Sequence, residues 1–132
     1  MYKLRYYQQT AINKILECKN DGVVDLPTGS GKTVIFTELV KQNPKLKFLI
    51  LTDRRILIDQ TSKYLKNCLN YRLETRQKLG LKDNDTLKNF LKRFDFILID
   101  EAHGVNHKGC TYQRITELKN VKTKIIGFTA TP

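Results

Sequence analysis

VVDLPTGSGKTVIFTEL, residues 23–39, is the stretch whose reading decides the fold. Val23 to Leu26 end an apolar strand, Gly29 and Gly31 give a loop, and Lys32 and Thr33 open an amphipathic run. In that run Ile35 and Leu39, with Phe36 and Val40 one step round, recur at helical spacing and can lie on a sheet. A strand, a glycine loop and a helix in that order turn successive backbone N–H groups toward one point at the positive end of a helix, where an anion binds. Lys32 beside that positive end is unfavourable unless an anion offsets it. It is placed to reach β- and γ-phosphates while the Thr33 hydroxyl ligates Mg²⁺. The strict pattern GxxxxGK[ST] asks for glycine where Leu26 stands, so the match departs at its first position. The plain alternative is a glycine turn carrying a solvated lysine; GSGKT between a strand and a helix favours a nucleotide.

Outward from this stretch, short apolar runs alternate with amphipathic ones. Strands are expected at Gly22 to Leu26, Lys47 to Thr52, Tyr71 to Thr75, Asp95 to Asp100 and Lys124 to Thr129. Helices are expected at Gln8 to Cys18, Lys32 to Gln42, Arg54 to Lys66, Thr86 to Arg93 and Thr111 to Leu118. Alternation of this kind predicts an α/β domain whose mostly parallel sheet of about five strands is flanked by helices. There is no repeat and no Pro/Gly/Ser-rich linker, so residues 1–132 read as one domain. The segment KLGLKDNDTLKNFLKRF has a turn-forming centre, reads as a surface excursion, and offers Asp85 as the cap of the short helix after it.

A second candidate site lies in FDFILIDEAH. Phe96 to Ile99 read as a strand buried on both faces, with Asp100 and Glu101 at its carboxyl end, where open parallel sheets place their ligands. Two adjacent acids there suit a Mg²⁺ ion held by Asp100 and Thr33, with Glu101 orienting and deprotonating a water. Two solvated acids capping a loop is the alternative, and the upstream glycine loop takes most of its weight away. His103, His107 and Cys110 have a spacing that suits zinc, but no fourth ligand is evident.

The charge balance is basic: 24 Lys and Arg against 13 Asp and Glu give +11. That attracts polyanions, nucleic acid before anionic membrane, although lysine-rich codon usage produces the same excess. Three cysteines with no CxxC pair predict reduced thiols in a cytoplasmic or other intracellular soluble compartment. No apolar stretch approaches the ~18 residues of a membrane span, so no membrane partner is expected.

LPTGSGKT, DEAH and TATP, in this order, resemble motifs I, II and III of superfamily 2 helicases and translocases. The group most resembled is that of type III restriction subunits and DEAH-type repair helicases, whose N-terminal segment LRYYQQTAI and motif Ia segment LTDRRILIDQ also echo. The resemblance covers essentially the whole chain and implies a RecA-like P-loop fold, the first motor domain of such an enzyme. It implies that ATP and Mg²⁺ are held by Pro27, Thr28, Gly29, Ser30, Gly31, Lys32 and Thr33 together with Asp100 and Glu101, and that Arg5 and Gln8 recognise adenine. Tyr6 stands where the group usually has proline, and Tyr7 reads as ordinary core. His103, Thr129 and Thr131 are implied to relay nucleotide state, and Arg54, Arg55 and Thr75 to touch a nucleic-acid backbone. The strand ending in Thr129 is expected between those ending at Leu26 and Asp100. Only a short span separates Gln60 from Thr75, where the group carries a further strand and a glycine loop, so the sheet should be smaller.

The expectation is therefore an ATP-hydrolysing helicase or translocase domain acting on nucleic acid, DNA rather than RNA. Its second RecA-like domain, which supplies arginines to the γ-phosphate, is expected to be absent from this chain and to come in cis or in trans. A non-catalytic, nucleotide-gated nucleic-acid-binding module is the alternative, and a P-loop ATPase of another lineage a third.

Overall fold

Five strands, β1 (Gly22–Pro27), β2 (Phe48–Leu51), β3 (Tyr71–Glu74), β4 (Phe96–Asp100) and β5 (Lys124–Thr131), pair in the order β1-β5-β4-β2-β3. Every pairing is parallel. The computed structural model describes residues 6–17, 22–27, 32–52, 55–100, 110–120 and 122–131. β5 lies between β1 and β4, as the resemblance implies, with Pro27 opposite Thr131 and Asp100 opposite Phe128.

The helices are α1 (Tyr6–Glu17), α2 (Lys32–Gln42), α3 (Arg55–Tyr64), α4 (Arg76–Gly80), α5 (Asn84–Leu91) and α6 (Cys110–Leu118). They cover the two faces of the sheet, and the strand alternation decides which side chains each face receives. Phe48 and Ile50 of β2, Phe96 and Leu98 of β4, and Ile126 and Phe128 of β5 meet Ile12 and Ile15 of α1 and Ile35, Phe36, Leu39 and Val40 of α2. The intervening residues, Leu49, Leu51, Ile97, Ile99 and Ile125, meet Leu79, Leu87, Phe90, Leu91 and Ile115 on the other side. Both faces of β2 and β4 are thus buried, which is why these strands read as unbroken apolar runs. The stripe expected in α2 is fully buried, and Phe36 meets Phe128 edge-on with ring centroids 4.5 Å apart.

Three expectations are corrected. The segment around residues 78–94 is no surface excursion: it folds into α4 and α5 and places Leu79, Leu87, Phe90, Leu91 and Phe94 in the second core. Those residues recur at helical spacing, a signal that the polar turn at its centre masks. The cap of α5 is Asp83, whose carboxylate accepts from the Thr86 N–H at 2.7 Å; Asp85 lies inside the first turn. Tyr7 is not core. It is 40% exposed and Tyr6 90% exposed, because the buried stripe of α1 runs through Gln8, Ile12 and Ile15.

The amino edge of the sheet is stitched by polar bonds. Asp95 accepts the Lys47 N–H on its carboxylate, returns its own N–H to the Lys47 carbonyl, and takes the Lys124 N–H on its carbonyl. Asn70, just before β3, directs its amide at the carbonyls of Val40, Asn43 and Leu46 at 3.0–3.1 Å. The Val40 and Asn43 carbonyls also accept the Asn43 and Leu46 N–H groups, so the Asn70 amide reinforces the turn after α2.

Candidate nucleotide-binding site

Because all five strands are parallel, their carboxyl ends lie along one edge, and most of the expected site residues that the structure describes fall there. β1 ends at Pro27 and α2 begins at Lys32, with the glycine loop between them. Thr33 is half-buried in the first turn of α2. Two strands along, β4 ends at Asp100, which is 3% exposed. Between them, Thr129 and Thr131 lie on β5 opposite Asp25 and Pro27. The helix start, the threonine strand and the buried carboxylate are therefore neighbours. Gln8 is buried in the first turn of α1.

Further along the same edge stand the residues expected to meet nucleic acid. Arg55 is exposed and opens α3 after β2. Thr75 follows β3 and caps α4: its hydroxyl oxygen accepts the Lys78 N–H at 3.1 Å. Its oxygen thus has a structural task besides any contact with a ligand. Arg5, Thr28, Gly29, Ser30, Gly31, Arg54, Glu101 and His103 lie outside the described residues, as does His107. Cys110 opens α6, and Cys68 is a free thiol.

The structure adds residues that the sequence did not single out. The Thr52 hydroxyl, next to the end of β2, donates to Asp100 Oδ2 at 3.1 Å, and Thr52 is 2% exposed. Thr52 lies in the segment LTDRRILIDQ, but nothing local pairs it with Asp100, 48 positions away. Glu74, buried at the end of β3, accepts from Arg72 Nε at 2.8 Å. Arg114 of α6 ties the helix after the acidic segment to the junction of α4 and α5. Its guanidinium donates to the carbonyls of Lys82 at 2.6 Å and Gly80 at 3.3 Å and to Asn84 Oδ1 at 3.0 Å.

Chemically, a buried carboxylate and a threonine hydroxyl form an all-oxygen donor set, which suits a hard cation such as Mg²⁺ rather than zinc. Among the described residues no three His, Cys, Asp or Glu side chains cluster as a metal site. None of the described helices is long and apolar enough to cross a membrane.

The sequence pattern of the family described as "Type III restriction enzyme, res subunit" matches residues 1–74 and 69–132. The two matches share residues 69–74, the residues of β3 and its lead-in. A type I restriction enzyme EcoAI endonuclease subunit of Escherichia coli is 31% identical over 157 aligned positions, covering 97% of this chain and 19% of the relative. The irc3 protein of Schizosaccharomyces pombe, named as a candidate mitochondrial ATP-dependent helicase, is 30% identical and covers 98% of the chain and 26% of that protein. The chain thus spans about a fifth to a quarter of these relatives. The crystal structure of the UvsW helicase of bacteriophage T4 has the same fold, with a TM-score of 0.73 at 19% identity over 96% of this chain and 52% of that one.

Proposed function

The chain belongs to the family of the type III restriction enzyme res subunit, and from that membership we propose that it is the ATP-binding half of a superfamily 2 motor that remodels or unwinds nucleic acid, DNA rather than RNA. The observation that carries this reading is the placement of Asp100. A carboxylate 3% exposed stands at the carboxyl end of a central strand, two strands from the β1 and α2 junction that bears GSGKT. Thr52 holds one of its oxygens, and the carboxyl end of a parallel sheet is where such folds place their ligands.

In this reading the N–H groups of residues 29–33 cradle the phosphates and Lys32 contacts the β- and γ-phosphates. Thr33 and Asp100 would hold Mg²⁺, which when bound neutralises charge on the phosphate oxygens. Glu101 orients and deprotonates the attacking water, while Arg5 and Gln8 hold adenine. Gln8 suits that role because one amide can both donate and accept. His103, Thr129 and Thr131 sense whether the γ-phosphate is present. Arg54, Arg55 and Thr75 grip a sugar-phosphate backbone, which positions the polymer without reading its sequence. Residues 1–132 form a single RecA-like domain, and turnover requires a second one in cis or in trans to bring arginines to the γ-phosphate. Such arginines are worth about 10³ to 10⁵ in rate in related systems.

Steady-state ATP hydrolysis, with and without DNA or RNA, tests this. A low basal rate, raised when the second domain is supplied and raised further by DNA, is expected. Tight ATP binding with no turnover under any of these conditions would favour a nucleotide-gated binding module instead.

A further inference from the structure

We infer that Thr52 is a positioning residue for Asp100, and that it links the two ends of the carboxyl edge. The inference rests on the nucleotide-site reading above. Thr52 stands where the nucleotide end of the edge, β1-β5-β4, meets the polymer end, β2-β3. Its hydroxyl donates to Asp100 Oδ2 at 3.1 Å, and its backbone N–H donates to the Glu74 carbonyl at 3.2 Å. One residue thereby joins the ends of β2, β3 and β4.

The bond to Asp100 matters because a carboxylate at a strand end has several staggered orientations open to it. A buried hydroxyl on one oxygen favours one of them and so limits where the other oxygen can stand at the strand end. Groups that orient a metal-binding carboxylate typically affect metal affinity by about 10- to 100-fold when removed. The bond to Glu74 matters for a different reason. Arg54 and Arg55 follow Thr52 within three residues, and Thr75 follows Glu74 directly. A phosphate backbone gripped at either place pulls on the peptide that carries the Thr52 hydroxyl. Packed strand ends transmit such displacements because the interior around them is close-packed.

A purely structural role would also leave a hydroxyl bonded at this point, since buried polar groups find partners. The two roles separate in a titration of a fluorescent ATP analogue against the 132-residue chain, with Mg²⁺ varied, for wild type, Thr52→Val and Thr52→Ser. Thr52→Val is expected to keep its metal-free affinity for the analogue and to need about tenfold more Mg²⁺ to reach half of the metal-dependent gain. Thr52→Ser is expected to restore the wild-type midpoint. A single-stranded oligonucleotide is expected to shift that midpoint in wild type and not in Thr52→Val.

An unchanged Mg²⁺ midpoint in Thr52→Val, whatever its melting temperature, overturns the positioning role. An oligonucleotide shift of equal size in wild type and Thr52→Val, or none in wild type, overturns the link between the two ends. Wild type that fails to bind the analogue overturns the nucleotide-site reading itself, and the inference with it. If Thr52→Val does not fold, Thr52→Ala, which leaves a gap rather than a methyl against the carboxylate, carries the same readout.

Discussion

The two ends of the sheet's carboxyl edge are built to different standards. At the nucleotide end, β5 and β4 are central strands, Asp100 is buried, and α2 is locked to β5 by the Phe36–Phe128 ring contact. At the end proposed to meet nucleic acid, β3 is a four-residue edge strand whose Arg72 is exposed, and its lead-in is held by the Asn70 side chain. The central strands carry groups that must hold one geometry. In the proposed reading the edge strand carries groups that meet a flexible chain. The two family matches overlap on this same edge strand.

The sharpest way to break that contrast is at the ring contact. Phe36→Ala should destabilise the whole domain by about 3–5 kcal/mol, since it empties a fully buried site in the first core. Urea denaturation reads this, and a loss below about 1 kcal/mol would show that the nucleotide end is not the rigid one. Next in size, Thr75→Ala removes the cap of α4 at the polymer end and should cost about 1 kcal/mol. Hydrogen exchange should place that loss in α4 and leave α2 unchanged.

Smaller again, Glu74→Gln breaks the pair with Arg72. Arg72's side chain is 56% exposed, so solvent screens the interaction and a loss under about 1 kcal/mol is expected by chemical denaturation. The smallest effect concerns acid. The Thr86 N–H bond holds the Asp83 carboxyl below its ordinary value of 3.8, with the Thr86 hydroxyl and the Arg114 charge adding to the shift. A depressed value means that Asp83 contributes stability above pH 3.8 and loses it as the pH falls through its lower folded value. Asp83→Asn, still a good cap, should keep the stability at neutral pH and flatten that acid limb, as denaturation midpoints on either side of pH 3.8 would show.

The same contrast governs what the sequence made legible. The bounds of α2 and the five strands follow from apolar runs and turn residues, which are local signals. The place of β5 between β1 and β4 followed from the family resemblance, and the pairing bears it out. The burial of α5 was hidden because Asp83, Asn84 and Asp85 dominate the composition of their segment while Leu87, Phe90, Leu91 and Phe94 supply its packing. Each of the two aspartates is a capping residue by type, and only the helix's first unpaired N–H groups decide which one serves. Thr52 was illegible for a deeper reason. Its role exists only once β2 and β4 lie side by side, and no pattern along the chain marks a hydroxyl that meets a carboxylate 48 residues on. GSGKT could be singled out because its chemistry is contiguous in sequence, and residues 28–31 lie outside the described ones.

The central claim is that GSGKT and Asp100 form one ATP site on this domain. Equilibrium binding of a fluorescent ATP analogue in the presence of Mg²⁺, compared between wild type and Lys32→Ala, tests it most directly. The account predicts saturable binding by wild type and a loss of about 10- to 100-fold in Lys32→Ala, the worth of hydrogen bonds between a charged amine and phosphate. Equal affinity in the two proteins, with Lys32→Ala folded, would contradict it.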